Sequence, residues 1–412
     1  MSKESELKEF ILRKAPQCVH KAGGMLAHPF VTPSFDVEPG ADDTAEVSER
    51  STVGHYLQMY DWDACFFSQA AHRLTLDTKE NIGMSVVQNF MSIMEPDGHT
   101  PRTVAPERIW DAGDHCKPFL AQSLAYQKRM FPALEVDIKL LASLDKYLDY
   151  FKTHRGAMNG LFHWRNVLES GVDNNYTLLY PLEASKDTNE NVGDYPDAHL
   201  IATDICGYIY GEYKAMEELY TANGDRKSAE KYERMASDLA SAIDQYLWVE
   251  EIGMHCNLDT KTGKHVTLRS WTSLVPAIMG ACAKEKTKQV IEQNMLNENH
   301  FLSPCGISSV ALSERLCNQA KRGLYGRYIV SNWQGPMWVI PNAMVVRCLK
   351  REGYMDGACD ISRRVTHTML DGITKTGTLY ENYDALHGYP LWAPQFMSWN
   401  ILALELVEIL EN

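Results

Sequence analysis

Several segments of this 412-residue chain combine carboxylates with aromatic side chains, and each lies where a loop is expected between helices. In the first, residues 56–67, Trp62 stands directly before Asp63. The C–H faces of a sugar stack on aromatic rings, and its hydroxyl groups need acceptors such as carboxylates. This pair could therefore bind a sugar. Alternatively, Asp61 or Asp63 caps a helix above a buried Trp62.

Two further segments place a carboxylate in a setting suited to proton transfer. In residues 168–175, Gly171 precedes Asp173 by two positions, and a glycine allows the tight turn that would present an acid to a cleft. In residues 377–384, Glu381 stands between two tyrosines, a partly apolar setting that can tune a carboxyl pKa. An Asx turn would explain the first pattern equally, and a surface loop the second.

Two more segments concentrate tryptophans, polar residues and helix breakers. Residues 331–338 (SNWQGPMW) end where an apolar helix is predicted to begin, and Pro336 is a residue type favoured at a helix start. Structural requirements explain Asn332 and the two tryptophans of this segment less well, so they are candidates for ligand contact. Residues 394–399 (PQFMSW) lead into the last predicted helix.

Helical periodicity dominates the rest of the chain. Apolar residues recur every three or four positions over about a dozen stretches, the pattern of helices with one buried face. The predicted helices include 82–92, 116–129, 136–151, 197–220, 232–247, 274–283, 341–351, 361–370 and 398–410. Residues 254–258 and 265–268 are predicted to form a short β-hairpin. Prolines from Pro29 onwards predict an irregular N-terminal arm over residues 1–50.

The number of helices indicates a fold class. About a dozen helices in roughly 360 residues correspond to about 30 residues per helix with its loop. This predicts an all-α fold, an (α/α)6 toroid with small β-hairpin insertions, in which residues 51–412 form a single catalytic domain. An α-solenoid has the same spacing, but no repeated sequence signature favours it. Loops at one end of a toroid would form a cleft where the segments above could meet.

Together these segments resemble the group of (α/α)6 glycosidases that includes trehalases and glycoside hydrolase family 63. The resemblance covers most of the chain after residue 55 and rests on motifs in the family's order. They are W-D at Trp62-Asp63, S-G-x-D-N at Ser170 to Asn174, N-W-x-G-P-x-W at Asn332 to Trp338, and E-x-Y-D at Glu381 to Asp384. Val172 departs from the aromatic residue that trehalases carry in S-G-W-D. The short chain looks most like the bacterial mannosylglycerate and glucosylglycerate hydrolases of that group.

The resemblance implies an inverting glycoside hydrolase in which Asp173 is the general acid and Glu381 is the general base that activates water. It implies a small α-glucoside or α-mannoside as substrate, such as glucosylglycerate, mannosylglycerate or a short α-gluco-oligosaccharide. An acidic aglycone would need a cation, and Arg102, Lys117 and Arg165 are available. The predicted sugar-contacting residues are Tyr56, Trp62, Asp63, Asn174, Asn332, Trp333, Gly335, Trp338, Tyr383 and Trp399.

Composition argues against several other classes of protein. With 54 acidic and 40 basic residues, the net charge is −14, which disfavours a nucleic-acid partner. The sequence has neither a membrane-spanning apolar run nor a secretory signal pattern, and its ten scattered Cys residues are typical of reduced thiols. We therefore expect a cytoplasmic protein.

No zinc-type spacing or nucleotide-binding motif occurs, so we expect no metal and no cofactor. The oligomeric state stays open.

Three other functions fit part of these observations. A sugar epimerase could also use a helical toroid, with proton transfer by histidines. The histidines available include His55, His72, His115, His163, His199 and His387. A trehalase-type disaccharide hydrolase would use the same carboxylates. A non-catalytic helical scaffold would leave the clustering of carboxylates with aromatic residues unexplained.

Overall fold

Helices dominate the computed structural model, which describes residues 3–37, 56–179, 199–320 and 329–411. The α-helices are α1 (Lys3–Lys14), α2 (Asp61–Ala70), α3 (Ile82–Ser92), α4 (Leu120–Met130), α5 (Ile138–His154), α6 (Val167–Ser170), α7 (Tyr176–Leu179), α8 (Thr203–Ala222), α9 (Arg226–Tyr246), α10 (Val275–Met279), α11 (Lys284–Gln289), α12 (Val339–Arg351), α13 (Met355–Thr376) and α14 (Ala403–Glu411). A 3-10 segment, Ser398–Leu402, leads into α14.

The helices pair into a closed ring. An inner set makes contact in the order α2, α4, α8, α10, α12 and then the Ser398–Leu402 segment with α14, and that segment packs back on α2. Helices α1, α3, α5, α9 and α13 pack outside this set. The predicted (α/α)6 toroid is confirmed.

Inner and outer helices differ in what they bury. Every residue of α2 is buried, because neighbouring helices cover it on all sides. Helix α9 instead buries a single face that includes Tyr232, Ala236, Leu239 and Ile243. Helix α9 therefore has a clear apolar stripe in its sequence, whereas α2 does not.

Short antiparallel strands connect the helices. The strands are β1 (Val19–His20), β2 (Phe30–Val31), β3 (Met59–Tyr60), β4 (Pro101–Val104), β5 (Ile109–His115), β6 (Leu200–Ile201), β7 (Trp248–Val249), β8 (Met254–His255), β9 (Asn257–Asp259), β10 (Lys264–Val266), β11 (Leu302–Ser303), β12 (Gly306–Ile307), β13 (Tyr380–Tyr383) and β14 (Pro390–Pro394). β9 and β10 form a hairpin within the predicted region, with Leu258 opposite His265, but Met254 and His255 pair with β7 instead. β13 and β14 form a second hairpin, and Tyr383 of β13 also pairs with Met337.

The prediction of an irregular arm over residues 1–50 is wrong for helix α1. Leu7, Phe10 and Ile11 lie buried on one face of this helix, which packs against α13 and α14. The prolines behind the prediction begin at Pro29, beyond the end of α1, so they do not interrupt it. Residues 38–50 lie outside the described residues, and a domain boundary at residue 50 stays a prediction.

All ten cysteines are free, and seven of them are buried, where they act as small apolar side chains. Within the described ranges, no helix combines the length and apolar character that crossing a membrane requires.

Candidate active site

The start of α2 brings three sequence-predicted groups to one end of the ring. Asp61 Oδ1 accepts a hydrogen bond from the Trp62 backbone N–H (2.7 Å), and Lys117 Nζ lies 3.1 Å from the same oxygen. The Lys117 ammonium also lies 5.0 Å from the centre of the Trp62 ring. The N-cap of α2 is Tyr60, without a side-chain hydrogen bond, so the predicted cap by Asp61 or Asp63 is wrong. As the first residue of the helix, Asp61 instead pairs with Lys117 and places its negative charge at the helix N-terminus.

Asp63 is a buried carboxyl beside this pair. Its Oδ1 accepts a hydrogen bond from Ser398 Oγ (2.6 Å), at the start of the segment that leads into α14. Burial raises the pKa of Asp63 to about 7, Asp61 adds to the rise, and Ser398 and Lys117 oppose it. In its ionised form such a group can accept a hydrogen bond from a ligand hydroxyl.

Asp173 lies in a turn that follows α6. Gly171 ends that helix in a left-handed conformation, with φ at +77°. A Cβ atom on Gly171 would lie 2.5 Å from Lys117 Cε and 2.7 Å from the Trp62 ring. The glycine therefore allows the Asp173 turn to pack directly against Trp62.

Replacing Gly171 by Ala is expected to lower the free energy of unfolding for two reasons. The left-handed conformation costs an L-residue about 1–2 kcal/mol, and the collision with Lys117 and Trp62 adds about 1–3 kcal/mol of overpacking. Gly160→Ala is the matched control, because Gly160 also has positive φ (+75°) but its Cβ would meet nothing within 4 Å. Urea denaturation measures both variants, and equal losses would contradict the close packing at Gly171.

The Asx turn considered for this segment involves Asn175. Its Oδ1 accepts hydrogen bonds from the N–H and hydroxyl of Thr177 (both 2.9 Å), at the start of α7. Asp173 itself is half-buried. Burial raises the pKa of Glu381 and that of Tyr56, and the negative charge of Asp173 raises both further. The two predicted catalytic carboxyls therefore lie within electrostatic reach of each other.

Asn174 joins the Asp173 turn to the loop ahead of α12. Its Nδ2 donates to the carbonyl oxygens of Val330 and Ser331 (both 3.1 Å), and its Oδ1 accepts from the Trp333 N–H (2.7 Å). Gln334 Nε2 donates to the Asn174 carbonyl (3.0 Å). The side chain of Asn174 is therefore engaged in holding this loop, and a contact with sugar stays a prediction.

Glu381 is buried on β13 with 4% of its surface exposed. Ser331 Oγ donates towards both of its carboxylate oxygens, at 3.0 Å from Oε1 and 2.9 Å from Oε2. Burial holds the pKa of Glu381 well above its usual range, Asp173 and Asp63 raise it further, and hydrogen bonds from Ser331 and Tyr56 lower it. The charge of Glu381 at a given pH therefore depends on its burial and on Ser331, Asp173, Asp63 and Tyr56.

Four of the predicted tryptophans form one buried cluster beside the carboxyls. Trp62 has its ring centre 5.9 Å from that of Trp333 and 6.0 Å from that of Trp399. Trp338 stacks on Trp333 at 3.7 Å with nearly parallel planes. Trp399 Nε1 also donates to the Glu381 carbonyl (3.4 Å), which ties the cluster to β13.

Other predicted sugar-contacting residues have polar groups engaged with the protein. Asn332 Nδ2 donates to the backbone carbonyls of residues 318 and 320 (2.9 and 3.0 Å). The Tyr383 hydroxyl accepts from the Tyr380 N–H (3.1 Å), and the Gly335 N–H donates to a serine hydroxyl (2.9 Å). Tyr56 OH lies 3.3 Å from Ser331 Oγ. These contacts hold the loops around Glu381, and a sugar contact by these residues stays a prediction.

Sequence reasoning missed Ser331 and Ser398, which hydrogen-bond the carboxylates of Glu381 and Asp63. Both serines stand inside segments that the sequence singled out. Serine is common in loops, so neither residue carried a signal of its own. Each contact depends on two segments that meet only in the folded chain.

The candidate cations have different surroundings. Lys117 is buried in its ion pair with Asp61. Arg102 Nη1 donates to the carbonyl of Leu168 in α6 (2.7 Å), and its Nε lies 3.5 Å from Asp114 Oδ2. Arg165 Nη1 lies 3.6 Å from the other Asp114 oxygen. The two arginines therefore flank one carboxylate next to the helix that leads to Asp173.

The histidines considered for an epimerase are spread over the fold. His115 packs on Tyr150 with ring centres 4.4 Å apart, and His163 Nδ1 lies 3.0 Å from the carbonyl of the next residue. The His387 side chain is 62% exposed in the loop between β13 and β14. His55 lies outside the described residues.

One group of metal-type ligands occurs in the described part of the chain, away from these carboxyls. Ligand atoms of Asp244, His255 and Cys282 lie within 4.8 Å of one another. Asp244 already accepts hydrogen bonds from His255 Nε2 (2.9 Å) and the Ala283 N–H (2.8 Å), and Lys286 Nζ lies 3.5 Å from its Oδ1. Because the lysine would repel a cation, we interpret this cluster as an ion-pair network.

Comparison with protein families gives a match over most of the chain. Residues 56–399 match the family described as mannosylglycerate hydrolase MGH1-like glycoside hydrolase domain. Periplasmic trehalases from Escherichia coli (strain SMS-3-5 / SECEC) and Salmonella newport (strain SL254) are 22% and 23% identical over 185 and 191 residues. Each match covers 45% of this chain but only 30% of the trehalase.

Solved structures share the fold over nearly the whole chain. A GH63 mannosylglycerate hydrolase from Thermus thermophilus, solved with glucose, has a TM-score of 0.64 at 16% identity and covers 99% of this chain and 100% of its own. A structure of that enzyme with Tris and D-glycerate has a TM-score of 0.66 at 16% identity, with coverage of 98% and 99%. Neutral trehalase from Saccharomyces cerevisiae has a TM-score of 0.62 at 14% identity and covers 87% of this chain and 72% of its own.

Proposed function

We propose that this chain, which belongs to the mannosylglycerate hydrolase MGH1-like glycoside hydrolase family, hydrolyses a small α-glucoside or α-mannoside with inversion at the anomeric carbon. The proposal is carried by the arrangement of two segments from distant parts of the sequence around one tryptophan cluster: the turn of Asp173 packs on Trp62, and Glu381 is tied to Trp399 and feels the charge of Asp173. An inverting glycosidase needs two carboxyl groups, one to protonate the leaving oxygen and one to activate water.

In the proposed reaction, Asp173 gives its proton to the glycosidic oxygen as the bond to the anomeric carbon breaks. A water molecule attacks that carbon from the opposite face and gives its proton to Glu381. The partners of Glu381 support its role as the base. Ser331 donates a hydrogen bond to its carboxylate, and an ionised carboxylate only accepts hydrogen bonds.

The surroundings of the carboxyls support a short substrate with one sugar bound at its non-reducing end. We assign the aromatic contact with the sugar to Trp62 and Trp399, and the acceptor for a hydroxyl group to Asp63. The structural neighbour named mannosylglycerate hydrolase supports a glycerate aglycone. A glycerate carboxylate needs a cation, and Arg102 and Arg165 beside α6 are the candidates.

A trehalase-type activity on a neutral disaccharide is the second candidate. The curated relatives named trehalase favour it, while Val172 departs from the trehalase motif at the turn that carries Asp173. A cytoplasmic location stays a prediction, and these relatives are named as periplasmic.

A substrate screen tests the proposal. Purified protein is incubated with mannosylglycerate, glucosylglycerate, trehalose, maltose and starch, and proton NMR follows the first anomer released. We expect one of the small α-glycosides to release the β-anomer of its sugar. Faster cleavage of starch than of any small glycoside would contradict a short substrate. Inverting cleavage of trehalose gives one β- and one α-glucose, so release of only the α-anomer, there or from the glycerate glycosides, would contradict inversion. Conversion of a free monosaccharide into its epimer would indicate an epimerase.

Replacing Asp63 by Asn is expected to lower kcat/KM by roughly 10–100-fold, mainly through KM. The change removes a charged acceptor, and a hydrogen bond to a charged group is worth about 1.5–3 kcal/mol. Asp145→Asn on the outer helix α5 is the matched control, since Asp145 accepts hydrogen bonds from Tyr220 and Tyr232. Steady-state kinetics measure both variants. Wild-type kinetics in Asp63→Asn would make Asp63 a structural residue.

A further inference from the structure

We propose that Ser331 is a positioning residue that orients Glu381 and stabilises its ionised form. The inference rests on the proposed function, because orienting an ionised carboxylate matters for a general base. Glu381 lies on β13, and Ser331 lies in the loop ahead of α12. The two residues are 50 positions apart, so the contact is a product of tertiary structure.

The geometry defines the direction of the hydrogen bonds. Ser331 Oγ lies 3.0 Å and 2.9 Å from the two oxygens of Glu381, so one hydroxyl spans the carboxylate. Tyr56 OH lies 3.3 Å from the same Oγ. Ser331 has a single hydroxyl proton, and an ionised Glu381 accepts it. Tyr56 also hydrogen-bonds Glu381, so the hydroxyl groups of Ser331 and Tyr56 converge on one carboxylate.

The backbone of Ser331 points to a function for its side chain. Its φ of +48° is left-handed, a conformation that is uncommon and unfavourable for residues other than glycine. Asn174 holds it there through hydrogen bonds to the carbonyls of Val330 and Ser331. Glycine would adopt this backbone more easily, so the hydroxyl is what serine contributes at this position. The same Asn174 follows Asp173, so the two catalytic segments are joined by one side chain.

The groups around Glu381 determine how its charge responds to pH. Asp63 faces it from α2, Asp173 from the turn after α6, and Tyr56 from the segment ahead of β3. Burial raises the pKa of Glu381, the two aspartates raise it further, and the hydrogen bonds of Ser331 and Tyr56 lower it. Loss of the Ser331 hydroxyl therefore makes the ionised form less stable and moves the pKa upward.

Ser331→Gly tests the proposal, because glycine tolerates the left-handed backbone and only the hydroxyl is lost. We expect the acidic limb of the kcat/KM profile to move up by about one to two pH units, since the base now ionises at higher pH. We expect kcat to fall while KM changes little. Carboxyl-carbon NMR of Glu-labelled protein, with the Glu381 signal assigned from Glu381→Gln, measures the same shift without any substrate.

Asn159→Gly is the matched control. Asn159 also has a left-handed φ (+57°) in the turn Met158–Gly160, and its replacement is expected to leave the pH profile and the Glu381 signal unchanged. An unmoved Glu381 midpoint in Ser331→Gly overturns the inference, even if hydrolysis is observed and the proposed function stands. A raised midpoint in a protein that hydrolyses none of the glycosides supports the role of Ser331 on Glu381 and overturns the proposed function instead.

Discussion

Replacing Glu381 by Gln is expected to lower kcat by roughly 10²–10⁴-fold, the range of general base contributions, while the fold is retained. The amide keeps the size of the side chain and still offers an oxygen to the Ser331 hydroxyl. It has no basic oxygen that can take a proton from water. Steady-state kinetics with the best glycoside from the screen measure the effect. A substrate with an activated leaving group should not restore the rate, because the defect lies in water activation.

Glu212→Gln is the matched control for Glu381→Gln. Glu212 is also fully buried, and its carboxylate accepts hydrogen bonds from the N–H groups of Ala121 and Gln122 at the start of α4 (3.1 and 2.9 Å). The same chemical change there is expected to lower stability but leave kcat close to the wild-type value. Near-wild-type turnover in Glu381→Gln would remove Glu381 from the mechanism.

Replacing Asp173 by Asn is expected to lower kcat on a natural glycoside by a similar factor of roughly 10²–10⁴. Here an aryl glycoside with an acidic phenol should restore much of the rate, because a good leaving group needs little protonation. The comparison of the two substrates in the wild type and the variant measures this rescue. Circular dichroism, which we expect to match that of the wild type, checks that the fold of the variant is intact.

The leaving-group comparison also assigns the two roles. A raised pKa favours the protonated form of a carboxyl, and such a form suits a general acid. Burial gives Glu381 a raised pKa, so the reverse assignment is a real competitor. Rescue of Glu381→Gln by an activated leaving group, together with none for Asp173→Asn, would exchange the roles. An equal response of both variants would contradict a division into acid and base.

Periodicity predicted inner and outer helices alike, since the inner α12 and the outer α3 both lie within two residues of their predicted bounds. Helix α9 shows a single apolar face, and Tyr232, Leu239 and Ile243 mark it in the sequence. Helix α2 is buried on all sides and mixes Asp, Gln and Ser with its aromatics, so no stripe reveals it. In this helix, the sequence instead indicates a candidate sugar-binding pair, Trp62 and Asp63. The N-terminal helix α1 was missed because prolines farther along the chain dominated that prediction.

Around the site, single residue types predicted local features. They did so where a glycine was needed for a turn, or where a carboxyl stood in an apolar setting. Gly171 predicted a tight turn, and the structure gives it a left-handed φ with Trp62 against its Cα. A carboxyl between tyrosines predicted a tuned pKa at Glu381, and burial does raise that pKa. The motifs could not say which loop faces which, because that depends on how the ring closes.

The sequence by itself determined the helical fold class, the two carboxyls and the tryptophans that accompany them, because each is expressed in local spacing or in residue type. Only the tertiary structure decided what surrounds the carboxyls. Ser331 reaches Glu381, and Asn174 reaches the loop of Ser331, across separations that no local pattern encodes. The physical reason is that hydrogen bonding and burial act over a few ångströms in space. Their partners are therefore fixed when the helices close the ring.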